Sequence, residues 1–142
     1  MASEIDFGPL DGLVGYQLRR AFLRSNQLFG KLAAAAGLAP GQYGVLKLVD
    51  LNPGRSQSEI AAAAGLDRSS LTQMLDHLTR QGLVERRPGP DRRTVSLHLT
   101  PEGARVCQAG AARAAEHEAL IRGSLSEMEA QTLIGLLKRL GG

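Results

Sequence analysis

"SQSEIAAAAGLDRSSLTQMLDHLTRQGLVERRPGPDRRTVSLHLT", Ser56 to Thr100, passes from helical to strand periodicity part-way along, and that change decides the fold. Ser56 and Glu59 have capping-box spacing, in which a hydroxyl and a carboxylate reciprocally satisfy free first-turn amides. A short Ala-rich helix follows and closes at Gly65. Asp67 suits the N-cap of the next helix, which carries Leu71, Leu75 and Leu78 inward until Gly82 ends it. Two helices joined by a brief glycine-containing turn form a helix-turn-helix candidate. Beyond Gly82 the period becomes two. Leu83 and Val84 lead into one strand, while Val95, Leu97 and Leu99 alternate with Thr94, Ser96 and His98 in the other, around a turn at Pro88 to Asp91.

Upstream, apolar residues recur at helical spacing from Leu13 to about Ala36, predicting a long first helix. Pro40 fits a first-turn position, and Tyr43, Val45, Leu46, Leu48, Val49 and Leu51 form the apolar face of a second helix, stopped by Asn52 to Gly54. Downstream, Thr100 and Pro101 are an N-cap and first-turn proline for a helix reaching about Arg122, with Gly103 and Gly110 expected to weaken it locally. A second capping box, Ser126 and Glu129, opens a last helix with Leu133, Leu136, Leu137 and Leu140 on one broad face. The expected order is ααααββαα: mainly α, with a small β-hairpin, in one domain over residues 1–142. No repeat or linker divides it.

The composition supports that class: 43% of the 142 residues are hydrophobic but only 4% aromatic, which favours helices packed through small and aliphatic side chains. Net charge is +3, from 17 Lys and Arg against 14 Asp and Glu, so the placement of charge matters more than its amount. A single cysteine, Cys107, excludes an intramolecular disulfide and the usual multi-thiolate zinc sites. "MASEIDFGPLDG" has acids where a secretory signal needs lysines, so a cytoplasmic protein is expected.

Two features carry chemistry. The leucine stripe leaves Arg68, Ser69, Ser70, Thr72, Gln73, Asp76 and Arg80 outside the core. Short polar side chains near a helix N-terminus suit base edges and phosphates when the helix enters a major groove. The hairpin carries Arg86, Arg87, Arg92 and Arg93, although a turn needs no arginine for its geometry. Their repulsion asks for a polyanion, and a narrow minor groove attracts inserted arginine. Pro88 and Pro90 stiffen the tip, and Asp91 is placed to pair with a neighbouring arginine.

"GLVERR", the tip "DRR" and the following "LTPEG", after a helix-turn-helix, resemble the winged helix-turn-helix core of MarR-type transcriptional regulators. The resemblance extends over nearly the whole chain. It implies a homodimer in which residues 37–100 are the DNA-binding core, 10–36 and 101–142 supply the dimerisation helices, and each wing reaches a minor groove of double-stranded DNA. Carried over by position, Arg68, Ser69, Ser70, Thr72 and Gln73 lie on the recognition helix, Ser56, Gln57 and Ser58 at the start of the supporting helix, and Asp91 and Arg93 on the wing. Arg86, Arg87 and Arg92 are assigned to phosphate. Two-fold symmetry implies a pseudo-palindromic operator. Repression relieved by a small ligand is the commonest behaviour of the family.

"GYQLRRAFLRSNQLF" also resembles the first helix of members that respond to aromatic acyl-CoA thioesters, making Tyr16, Arg19, Arg20, Arg24 and Tyr43 the candidate effector set, against the alternative that these arginines are solvated or form intersubunit ion pairs. Cys107 admits a thiol redox sensor as an alternative, although a lone helical cysteine is most often a small buried hydrophobe. His77, His98 and His117 lack metal-ligand spacing, and no cofactor is implied. There is no phosphate loop or nucleophile elbow, so an enzyme is not expected. A nonspecific architectural or protein-interaction winged helix stays open as the rival, because fold alone does not decide function.

Overall fold

The computed structural model describes residues 5–39, 41–91 and 93–142; Pro40 and Arg92 lie outside the described residues. The elements are α1 (Val14–Ala34), α2 (Gln42–Leu51), α3 (Gln57–Ala64), α4 (Arg68–Arg80), β1 (Val84–Pro88), β2 (Val95–Leu99), α5 (Pro101–Arg122) and α6 (Glu127–Gly141). A single 3-10 turn at Gly8–Gly12, not anticipated from the sequence, precedes α1.

Local chemistry sets the helix boundaries. At α3 the Ser56 N–H donates to Glu59 Oε2 at 2.9 Å, and the Glu59 N–H to Ser56 Oγ at 3.3 Å. Gly65 takes the left-handed conformation, φ 66°, at the other end of α3. Two residues later Asp67 caps α4, accepting the Ser70 N–H at 2.8 Å. The turn between the two helices is therefore only three residues long, which forces them to cross sharply rather than stack end to end.

That crossing closes the core. Leu71, Leu75 and Leu78 are at most 1% exposed and pack with Val45, Leu46, Val49, Ile60, Leu83, Val84 and Leu97. Each such side chain contributes roughly 1.5–3 kcal/mol by leaving water. Leu51 departs from the expected pattern: it is 65% exposed, at the last position of α2 just before the Asn52 cap.

The hairpin pairs antiparallel, with Val84 opposite Leu99 and Pro88 opposite Val95. Its free edge is covered: the Leu97 N–H donates to the Arg55 carbonyl at 2.9 Å and the Gly54 N–H to the Leu97 carbonyl at 2.9 Å, with Ser56 bridged to Ser96. This corrects the simple alternation. Ser96 is buried and Val95 is 40% exposed, because the segment before α3 covers Ser96, whose hydroxyl bonds the Arg87 carbonyl and the His98 ring, while Val95 projects beyond the core.

Helix α5 begins at the Thr100 cap, which accepts the Gly103 N–H at 2.9 Å, and runs unbroken to Arg122. The expectation that Gly103 and Gly110 weaken it misses their role. A Cβ on Gly103 would collide with the Leu83 carbonyl, and one on Gly110 would lie 2.8 Å from the Tyr43 ring. Both glycines are points of closest approach. Farther along α5, His117 Nε2 lies 3.1 Å from both the hydroxyl and the carbonyl oxygen of Ser25 on α1, with the Phe29 ring edge-on at 5.1 Å. On α6 only Ala130 is buried. Leu133, Leu136, Leu137 and Leu140 face Leu13, Val14, Leu18 and Ala21 across an open apolar cleft of 410 Å³.

Gly103→Ala is expected to lower stability by about 1–3 kcal/mol, because the obstacle is backbone. Gly44→Ala, in an open helical position, should raise it by about 0.5–1 kcal/mol. Urea midpoints at one fixed protein concentration check both signs.

Candidate nucleic-acid interface

With the leucines buried, the opposite face of α4 is turned outward. Arg68, Ser69, Ser70 and Gln73 are exposed and Thr72 half-buried. Two of the hydroxyls are already oriented: Ser70 Oγ donates to Asp67 Oδ2 at 2.8 Å, and Thr72 Oγ1 donates to the Arg68 carbonyl at 2.8 Å. They retain acceptor lone pairs, so both suit donor-bearing partners. Ser69 and Gln73 make no side-chain hydrogen bond among the described residues.

Three sequence-distant segments converge beside this face. Arg68 Nη2 donates to Ser58 Oγ at 3.4 Å, tying the start of α4 to the first turn of α3. A groove of 250 Å³ is lined by Ser56, Gln57, Ser58, Arg68, Arg93 and Thr94, together with Val95. Supporting helix, recognition helix and wing thus contribute to one concave surface with two guanidinium groups on it. The N-terminal amides of α3 and α4 add partial positive charge.

The wing arginines divide. Arg93 is exposed and makes no ion pair among the described residues. Arg87 pairs with Glu85 on its own strand. Arg86 turns away from the tip, donating to Asp76 Oδ1 at 2.7 Å and Gln57 Oε1 at 3.1 Å. Among the described residues, which leave out Arg92, Asp91 pairs with no arginine side chain. Its Oδ1 instead accepts the backbone N–H groups of Arg93 at 2.8 Å and Thr94 at 3.0 Å, building the tip as an Asx turn.

The capping carboxylates are electrostatically settled. Hydrogen bonding from the Ser56 N–H and hydroxyl, then from Arg55, holds Glu59 below the usual carboxylate range. The Ser70 N–H and hydroxyl do the same for Asp67.

The five candidate effector residues do not form one cluster. Tyr16 and Arg20 lie together with Phe7, which the sequence reading missed: the Arg20 guanidinium sits 4.8 Å from the Phe7 ring centre and 5.9 Å from that of Tyr16. Arg19 and Arg24 are exposed on the same helix. Tyr43 packs elsewhere, against Phe29 at 6.3 Å and against Gly110. Cys107 is 2% exposed, and burial pushes its thiol up. A protonated, enclosed thiol lacks the reactivity of a redox sensor. Among the described residues no group of His, Cys, Asp and Glu is placed to hold a metal ion, and no helix is long and apolar enough to cross a membrane.

Residues 36–94 match the sequence profile described as MarR family. A candidate transcriptional regulatory protein for the hcr operon of Thauera aromatica is 39% identical, over 97% of this chain and 84% of that one. Among solved structures, the transcriptional repressor CouR bound to a 23-mer DNA duplex superposes with a TM-score of 0.89 at 37% identity, covering 99% of this chain and 100% of that one. CouR bound to p-coumaroyl-CoA gives 0.87 at 35% identity, over 96% and 97%.

A depressed carboxylate stabilises the fold above its unfolded value, about 3.9–4.3, and that stabilisation is lost as pH falls through the lower folded value. Stability should therefore be level from neutral pH down to about pH 5 and decline below about pH 4. Glu59→Gln, which keeps a capping-box partner without the titration, should show a smaller acid decline in urea melts repeated across pH.

Proposed function

The chain belongs to the MarR family of winged helix-turn-helix transcriptional regulators, and from that premise we propose that it is a homodimeric, site-specific DNA-binding repressor released by a small ligand. The observation that carries the reading is the groove in which Arg68, the first turn of α3 and Arg93 meet. A helix N-terminus in a major groove with an arginine-tipped hairpin beside it matches the shape of duplex DNA, where side chains read base edges and the minor groove draws the wing arginine. Arg68, Ser69, Ser70, Thr72 and Gln73 are assigned to the major groove, with Ser56, Gln57 and Ser58 beside them. Arg93 is assigned to the minor groove, on a tip shaped by Asp91. Arg92 and Arg87 are left to phosphate. The solved likeness of CouR on a DNA duplex supports this assignment.

The open cleft between α1 and α6 supports dimerisation. Leu18, Leu133, Leu136, Leu137 and Leu140 are 37–62% exposed in a single chain, a contiguous apolar face that a second copy would cover. Residues 37–100 would then be the reading core, with 10–36 and 101–142 as the dimerisation region. A two-fold axis calls for a pseudo-palindromic operator with half-sites about 34–36 Å apart.

For the ligand, the Phe7, Tyr16 and Arg20 stack supplies aromatic faces and a cation, with Arg19 and Arg24 on the same helix, a chemistry suited to an aromatic carboxylate or its CoA thioester. The likeness to CouR with p-coumaroyl-CoA favours that class. Tyr43 lies apart from that stack, at the α2–α5 contact.

Fluorescence anisotropy against a duplex from upstream of the protein's own gene and a scrambled duplex, at near-physiological salt, tests the reading. A preference of roughly a thousandfold or more is expected of a specific regulator, and an unbiased selection from genomic fragments supplies the operator if the upstream region does not hold it. Equal, steeply salt-dependent affinities for every duplex would instead identify a nonspecific architectural protein. Arg93→Ala should weaken operator binding by about tenfold while the dimer stays intact, as each good contact contributes about 1–3 kcal/mol. Leu137→Glu should shift the sedimentation coefficient to that of a monomer and abolish operator binding. Aromatic acids and their CoA thioesters, added to the same cuvette, should release the labelled operator, and Arg20→Ala should blunt that release.

A further inference from the structure

Arg86 is the wing arginine that reaches two other elements. Its Nε donates to Gln57 on the first turn of α3 and its Nη2 to Asp76 on α4, so a single side chain bridges strand, supporting helix and recognition helix. Its side chain is 30% exposed, against 56% for Arg87. The planar guanidinium fork holds both acceptors at once, which a lysine ammonium on its flexible stem does not reproduce. The contact also orients Gln57. With its Oε1 turned to Arg86, the amide is held in one orientation beside the groove it lines, and Oε1 keeps a second lone pair.

We propose that Arg86 is a positioning residue rather than a phosphate ligand: it locks the wing in register with α3 and α4, and it fixes the orientation of the Gln57 amide. An amide held in one orientation meets fewer of the base edges and phosphate oxygens that a freely swinging glutamine reaches. The inference rests on the DNA-binding role proposed above for this groove. It reverses the assignment of Arg86 that its place beside the wing suggests.

The two roles differ in sign at Asp76. If Arg86 binds phosphate, Asp76→Asn releases the arginine and removes a negative charge, so all DNA is bound more tightly and the preference for the operator is kept. If Arg86 positions the wing, Asp76→Asn lowers the ratio of operator to scrambled affinity. Arg86→Gln, Arg86→Lys, Asp76→Asn and the Arg86→Gln/Asp76→Asn double variant should be titrated against both duplexes over a series of salt concentrations. The expected result is a roughly three- to tenfold fall in that ratio for each single variant, no rescue by lysine, and a double variant no worse than the single ones. The slope of log affinity against log salt should not change. A slope shallower by about 0.9, with rescue by lysine and tighter binding by Asp76→Asn, would make Arg86 a phosphate ligand and overturn the proposal.

Hydrogen exchange without DNA separates this idea from the DNA reading itself. Amides of β1 and β2 should exchange faster in Arg86→Gln than in the parent protein, and unchanged exchange would count against the lock even if the parent protein proves to have no site preference. Thermal melting reports whether each variant folds, and Asp76→Asn, at an exposed helix position, carries the comparison if Arg86→Gln does not.

Discussion

Burial of Leu71, Leu75 and Leu78 is the constraint on which the other features depend. Once that stripe of α4 is held in the core, Arg68, Ser69, Ser70, Gln73 and Asp76 are turned outward, with Thr72 half-buried beside them. The same burial brings α4 against β1, because Leu83 and Val84 share the core with the leucines. The position and orientation of α4 follow from apolar packing, not from the polar residues on its outer face. Polar side chains on this face are consequently free to differ without moving the helix.

The wing shows how a cluster of like charges is made compatible with a fold. Arg86 is drawn down to Asp76 and Gln57, and Arg87 pairs along its own strand. Asp91, the acid nearest the tip, uses its carboxylate on backbone amides, which shapes the turn and leaves Arg93 outside any ion pair among the described residues. Arg86 and Arg87 are tied into the structure, while Arg93 is presented at the tip. Bonding between Gly54, Arg55 and Leu97 closes the sheet edge, so the hairpin is anchored on a side that would otherwise invite another strand.

Much of this was legible in the sequence because its causes are local. Ser56 and Glu59, Asp67, Thr100, and Ser126 with Glu129 each act within one helical turn, and all four caps form where their spacing implies. The leucine stripe was readable for the same reason. What escaped depends on contacts between distant segments. Ser96 is buried because the segment of Gly54 to Ser56 pairs along β2 there, and Leu51 is exposed because the chain turns at Asn52. Arg86 looks like its neighbours until Asp76 and Gln57 are placed beside it. Phe7 lies outside the first helix and meets Arg20 only through the fold, whereas Tyr43 is carried away from Tyr16 by the packing of α2. Gly103 and Gly110 looked like weak points, since a propensity scale registers the missing side chain but not the backbone or ring that occupies its place.

That last feature has a mechanical side. At Gly103 the α5 backbone rests directly on the Leu83 carbonyl, at the root of the hairpin, and at His117 the same helix is hydrogen-bonded to Ser25 of α1. The two points are fourteen residues apart, about 21 Å along a helix. Between them Gly110 lies against the Tyr43 ring, so α5 is held at three points, on the hairpin, on α2 and on α1. Replacing either glycine would push α5 off one of these contacts, and so displace the hairpin or α2 relative to α1.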